Sequence, residues 1–234
     1  TNITGSIIDS EPPVINYMQA PDGLKKVGDF IDIIVSADDE GYKINRQRSF
    51  INNLPATDPD ISFISLGNGV YIFRYIVGEG DNDVLIEGNF TSQLVLEDLA
   101  NNSNSPFTRI NSNNLRIDAN SPVITAITVN DSLYIPGEIV EILIVADGDG
   151  YMADNSTVVN DISLSSSYLD FENITDNQYI LSYYVRPVDE EVLPGELNVE
   201  VILMDSAGNS SWKYNTIEEN ELSIFTREPA AVLS

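Results

Sequence analysis

The sequence predicts an all-β chain made of two tandem antiparallel β-sandwiches of about seven strands each. Three observations predict it. The segments Ile8 to Tyr42 and Ile117 to Tyr151 align without a gap at an offset of 109 residues. Apolar residues alternate with period two in corresponding runs of both halves, and no stretch sustains a helical period. Turn residues such as Asp22-Gly23 and Asn68-Gly69 punctuate the runs.

The repeat can be followed through the chain. Pro13-Val14-Ile15 returns as Pro122-Val123-Ile124, and Ala37-Asp38 through Gly41-Tyr42 as Ala146-Asp147 through Gly150-Tyr151. The offset slips to 108 for Tyr71, Tyr75 and Val77, which return as Tyr179, Tyr183 and Val185. It slips to 107 where Leu96, Asp98 and Ala100 return as Leu203, Asp205 and Ala207. Slips of one residue are what loop-length changes between equivalent strands produce. The expected organisation is the tail of a preceding module over 1–10, module one over 11–118, module two over 119–227, and the start of a following module over 228–234. Ser6-Ile7-Ile8-Asp9 matches Leu115-Arg116-Ile117-Asp118, the segment that closes a module, which implies a piece of a longer array.

The strands follow in order. Val14 to Met18 is a weak run that opens the module. Phe30 to Ala37 places Ile31, Ile33, Val35 and Ala37 on one face, and Val140, Ile142, Ile144 and Ala146 repeat it. Ser49 to Leu54 and Ile61 to Ser65 are weaker. Tyr71, Phe73, Tyr75 and Val77 alternate strongly, answered by Tyr179, Leu181, Tyr183 and Val185, so the tyrosines are expected in the core. Phe90, Ser92, Leu94 and Leu96 are answered by Leu197, Val199, Val201 and Leu203, and Leu115 to Asp118 closes the module.

Composition narrows the partners. Eleven Lys plus Arg against 37 Asp plus Glu give a net charge of −26, which argues against nucleic acid and anionic membranes and favours cations. Acidity also serves plain solvation in high salt. No segment approaches the ~20 apolar residues of a membrane span. Zero Cys excludes a disulfide framework. Sequons of the form Asn-x-Ser/Thr begin at Asn2, Asn89, Asn101, Asn130, Asn155, Asn173 and Asn209, compatible with an extracellular glycoprotein. With neither His nor Cys, Ser-His-Asp and thiol chemistry have no residues to use. The expectation is no enzyme.

Three segments carry a family likeness: Asp118-Ala119-Asn120-Ser121-Pro122 at the module opening, Gly28-Asp29 or Gly137-Glu138 before the second strand, and Leu203-Met204-Asp205-Ser206-Ala207-Gly208-Asn209. They resemble prokaryotic immunoglobulin-like (Big-type) tandem repeats of cell-surface proteins, and the richness in Ile, Asn and Asp is similar to archaeal surface-layer (S-layer) proteins. The resemblance implies two immunoglobulin-like sandwiches at the extracellular cell surface. Their role would be structural, as an S-layer lattice subunit or an adhesin stalk. The partners would be neighbouring modules of the same chain and self-assembly in a surface lattice. Module one departs from the pattern at Asn101, where the turn glycine is missing, so a different turn backbone is expected there.

In such a sandwich the opening linker and the loops after the second and sixth strands share one end. That end would gather Asp9 with Glu11, Asp38 with Asp39 and Glu40, and Asp98 in module one. In module two the matching residues are Asp118 with Asn120, Asp147 with Asp149, and Asp205. Asp81 and Asp83 belong to the opposite pole of module one, expected to face the junction. Calcium takes six to eight oxygens from such groups, so Ca2+ at module junctions is the expected cofactor. The competing reading is that Asp147-Gly148-Asp149-Gly150 is a tight turn and that Asp98 and Asp205 cap theirs. The loop is no EF-hand, because Tyr151 and Val158 fill its fifth and twelfth positions.

Two alternatives remain: a carbohydrate- or ligand-binding module, and a spacer of a secreted enzyme. Trp212 is the one aromatic candidate for a contact at the tip, with packing beneath the last connection the preferred fate. Lys25 and Lys26 are expected as an exposed pair in the first connection.

Overall fold

The computed structural model describes residues 9–111 and 114–226. Of the expected module remnants, residues 1–8 of the stretch 1–10 and all of 228–234 lie outside the described residues, as does Asn2. The chain divides into two compact units after Asn120.

In the first unit the strands are β1 (Ile15–Gln19), β2 (Gly23–Lys26), β3 (Phe30–Ala37), β4 (Lys43–Ile44), β5 (Phe50–Ile51), β6 (Leu54–Pro55), β7 (Ile61–Gly67), β8 (Val70–Ile76), β9 (Ser92–Gln93), β10 (Leu96–Glu97), β11 (Ile110–Asn111) and β12 (Leu115–Asp118). One sheet has the order β11-β1-β3-β8-β7, antiparallel apart from β11. Facing it are three short ladders, β6-β5-β9, β10-β4 and β12-β2. Such an order, in which the first, second, fifth and fourth principal strands form one sheet, is that of an immunoglobulin-like sandwich. Alternation decides which face is buried. Ile31, Ile33, Val35, Tyr71, Phe73 and Tyr75 are fully buried and meet Ile51, Leu94, Leu96, Leu115 and Ile117 in one core.

The second unit repeats the plan with β13 (Ile124–Val129), β14 (Leu133–Tyr134), β15 (Ile139–Ala146), β16 (Met152–Ala153), β17 (Val158–Val159), β18 (Ile162–Ser163), β19 (Leu169–Thr175), β20 (Gln178–Tyr184), β21 (Val199–Glu200), β22 (Leu203–Met204) and β23 (Ser223–Ile224). Its principal sheet has the order β13-β15-β20-β19, opposed by β18-β17-β21, β16-β22 and β14-β23. Val140, Ile142, Ile144, Tyr179, Leu181 and Tyr183 occupy the places of their repeats in a second core.

Three expectations are corrected. Lys25 and Lys26 are half-buried in a strand, β2, which pairs in parallel with β12, so the first connection is itself part of a ladder. The run through Phe90 to Leu96 is buried as expected but forms two separate two-residue ladders, β9 and β10. Asn101 adopts φ of 67°, the left-handed conformation that Gly208 adopts at 88° in the second unit, so the two turns share one backbone shape. Asn tolerates that region where most residues do not.

The β7–β8 hairpin shows why its turn needs glycine. Asn68 and Gly69 have φ of 52° and 71°, both positive as a tight two-residue hairpin requires. A Cβ on Gly69 would stand 2.7 Å from the carbonyl oxygen of Ala37.

Candidate functional site

The residues that sequence reasoning placed at one end of module one do converge. Asp9, Glu11, Asp38, Asp39, Glu40 and Asp98 line a single cleft of about 590 Å³ together with Pro12, Val14, Gly41, Tyr42 and Leu99. Among the described residues, no three His, Cys, Asp or Glu side chains stand in an arrangement that holds a metal ion. Asp118 and Asn120 belong to the first unit, whereas Asp147, Asp149 and Asp205 belong to the second.

The chain itself uses several of these carboxylates. Asp38 Oδ1 accepts from the Val14 amide at 2.9 Å and from the Tyr42 hydroxyl at 3.0 Å, while the Asp38 amide donates back to the Val14 carbonyl. The opening linker is thereby fastened to the loop after β3. Tyr71, rooted in the core on β8, donates its hydroxyl to the Asp39 carbonyl at 3.1 Å and accepts from the Tyr42 amide at 3.2 Å. The second unit reproduces each contact. Asp147 Oδ1 accepts from the Val123 amide and the Tyr151 hydroxyl, and the Tyr179 hydroxyl bridges the Gly148 carbonyl and the Tyr151 amide. Burial, then Asp38, pushes the Tyr42 hydroxyl pKa well up; burial, then the Asp147 charge, does the same to Tyr151.

Asp98 and Asp205 cap their turns. Asp98 accepts from the amide and side chain of Asn102, each at 2.8 Å, and Asn102 also donates to the Asp9 carbonyl. Burial opposes ionisation of Asp98, but the bonds from Asn102 together with those from the Ala100 and Asn101 amides outweigh it and hold the carboxyl below its ordinary range. Asp205 accepts from the amides of Ala207 and Asn209 and from the Asn209 side chain. Asp9 Oδ1 accepts from the Glu11 amide, Asp39 Oδ1 from the Glu40 amide, and Glu40 Oε2 from the Asn68 amide.

Asp81 and Asp83 also hold the first unit's own backbone. Asp81 Oδ2 accepts from the Tyr75 hydroxyl at 2.6 Å and the Gly78 amide at 2.7 Å. Asp83 Oδ1 accepts from the Ala119 amide and the Asn120 side chain, and Asp118 Oδ1 takes a longer bond from the Asn120 amide. The counterpart of Asp81 is Asp189, which sequence reasoning missed. It receives the Tyr183 hydroxyl, the Arg186 amide and the Arg186 guanidinium. The signal was present as Tyr-x5-Asp at 75/81 and 183/189, beside Asp-x3-Tyr at 38/42 and 147/151.

Trp212 contradicts its preferred fate, being 92% exposed. It lies on an antiparallel connection whose neighbours Ser211 and Tyr214 bond to Leu203 and Val201, which turns the intervening side chain outward. Of the sequons, Asn89, Asn101, Asn130, Asn155 and Asn173 are exposed, whereas Asn209 is buried and donates to Asp205.

No protein-family model and no curated protein matches the chain. Among solved structures it is similar to an I-band fragment of titin, with 10% identity over 87% of this chain and 65% of that one at a TM-score of 0.44. It is also similar to the N-terminal Ig1-2 module of the Drosophila receptor protein tyrosine phosphatase DLAR, with 16% identity over 92% of this chain and 100% of that one at a TM-score of 0.29. The chain spans about two thirds of the titin fragment's length. These likenesses accompany a fold established by strand order, that of two tandem immunoglobulin-like sandwiches.

Proposed function

We propose that the chain supplies non-catalytic structural modules to a large extracellular cell-surface protein, as an S-layer lattice subunit or an adhesin stalk. One observation carries this reading. Near the two ends of each unit, strands pair in parallel: β2 with β12 in the first, β14 with β23 in the second. When the ends of a unit are drawn apart, parallel strands at opposite ends of the chain are pulled in opposite directions along their ladder. Their bonds then resist together in shear rather than opening one at a time. The polar networks are equally structural in character, since the same Asp and Tyr contacts hold the same loops in both units. The charge of −26 and the five exposed sequons favour the cell exterior.

Calcium stiffening belongs to the same proposal and rests on the six-carboxylate cleft of the first unit. An ion there would have to draw those side chains inward from their present bonds. A second reading, ligand binding through an exposed aromatic, is favoured by Trp212 alone.

Pulling single molecules by their ends tests the structural reading. Two unfolding events are expected, and Lys25→Pro in β2 should lower the force of one of them, because proline removes a ladder donor. If both units of the unaltered chain yield as easily as that variant, the reading fails.

A further inference from the structure

The two units differ at one edge, and the difference concerns what can lie against it. β7 and β19 are equivalent last strands of their principal sheets, each of seven residues, and each is paired on one side only within the sheet order. An edge strand offers a row of main-chain donors and acceptors to any strand that can approach, and charged side chains are the usual guard. β19 carries that guard. Its outward residues are Asp170, Glu172 and Ile174, with Glu172 beside Ile180 and Ile180 beside Leu143. In β7 the same positions hold Ser62, Ile64 and Leu66, with Ile64 beside Ile72 and Ile72 beside Ile34. Ile64 is 38% and Leu66 57% exposed. In a chain of net charge −26, β7 is a seven-residue strand without an ionisable side chain.

We infer that β7 is a self-association edge, where β7 of a second copy of this chain adds antiparallel across a two-fold axis and continues the sheet. An isologous contact requires self-complementarity, and charge supplies it here. Pairing centred on Ile64 sets Ile64 against Ile64 and Phe63 against Ser65, within the regular stretch of β7 that ends at the bulge between Ser65 and Gly67. No ionisable side chains meet along that stretch. The same operation on β19 would set Glu172 against Glu172, and like charges directly opposite one another destabilise a strand pair. Inward from the edge, Asp32 is neutralised by a bidentate bond from Arg74, so the adjoining sheet surface adds no repulsion. Ile64, Ile72 and Ile34 of each copy would form one apolar row across the joined sheets. The sequence alone did not mark this edge, because an Ile and a Glu at matched positions look like ordinary surface variation until strand order shows both at an open edge.

Sedimentation equilibrium of the full chain at physiological salt tests the inference. A concentration-dependent dimer is expected, and Ile64→Glu, which installs the second unit's residue, should weaken association at least about tenfold. Ser62→Asp should act in the same direction, so the result stands even if one variant folds poorly; heat melts report folding in each. Glu172→Ile should create a second sticky edge and species larger than a dimer. The chain has no cysteine, so Ile64→Cys should give a disulfide-linked dimer under mild oxidation and Ile174→Cys should not. A wild-type chain that stays monomeric to its solubility limit overturns the inference. So does a dimer that both folded β7 variants leave intact, or cross-linking equal at positions 64 and 174.

Discussion

The Tyr183 hydroxyl donates to Asp189 Oδ2 across 2.7 Å, from the core strand β20 to the loop that follows it. The Asp189 side chain is 1% exposed and also pairs with Arg186. Removing the hydroxyl takes one bond from a buried carboxylate that keeps the Arg186 amide and guanidinium, and takes an acceptor from the Asn160 side chain. Tyr183→Phe should therefore destabilise the second unit by about 1–3 kcal/mol. Asp189→Ala, which takes the acceptor from the Tyr183 hydroxyl and from the Arg186 amide and guanidinium, should cost about 2–3 kcal/mol, discounted because Arg186 is partly solvated. Urea melts check both, and a loss confined to the first unit's transition would contradict them.

Stability should fall at both ends of the pH scale. Burial works against ionisation of Asp189, but Arg186 and Tyr183 outweigh it, and its carboxyl titrates below the ordinary range. The Arg74 bond lowers Asp32, and Ser156 lowers Asp154. A depressed carboxyl contributes stability above its unfolded pKa and loses it as pH falls through the folded value, so acid unfolding is expected below about pH 4. Burial raises Tyr42, Tyr75, Tyr151 and Tyr183. Their contribution is complete below about pH 10 and is lost as pH rises beyond it. Melting temperature measured across pH should form a plateau with these two edges; a maximum at the isoelectric point would contradict the assignment.

Trp212 is the single tryptophan and stands in solvent. Its emission should already be that of a water-exposed indole in the native chain and should scarcely shift on unfolding, while circular dichroism reports the transition. A blue-shifted native emission would place the ring against a partner surface.

Calcium bears on the cleft of Asp9, Glu11, Asp38, Asp39, Glu40 and Asp98. If the ion binds there, calcium should raise the melting temperature of the first unit over chelator and over magnesium, and Asp39→Asn with Glu40→Gln should abolish the gain. Identical melts in all conditions would leave these carboxylates as turn caps and solvated surface. Asp38→Ala should destabilise with or without calcium, by about 1–2 kcal/mol, because it releases the Val14 amide and the Tyr42 hydroxyl.

The β5–β6 and β17–β18 hairpins turn through Asn52-Asn53 and Asn160-Asp161, all with positive φ. Asp161→Gly removes the steric cost of that conformation and should stabilise by roughly 0.5 kcal/mol. Asn160 should not tolerate the same change, since its side chain donates to Tyr183 and to the Glu190 carbonyl.

The parity of the long strands was legible because each buries one face: Ile31, Ile33 and Val35 announce β3 unaided. The repeat then made the second unit a check on the first. Short ladders escaped, since two residues such as Lys43–Ile44 carry no period. The acidic loops were legible as a cluster, but an aspartate that binds an ion and one that accepts an amide have the same sequence. Trp212 misled because a large apolar side chain is expected inside, and a single connection fixes its direction by hydrogen-bond register instead.

The pairing of β2 with β12 also governs when a unit can come into being. Gly23 and Leu115 meet across nearly the whole length of the first unit, so that ladder cannot form while the final strand is still to arrive. Contacts so distant along the chain form slowly, because loop closure must come first. That ladder is therefore the last part of the first unit to be completed, and a chain cut short before Leu115 would leave β2 without the strand it pairs with.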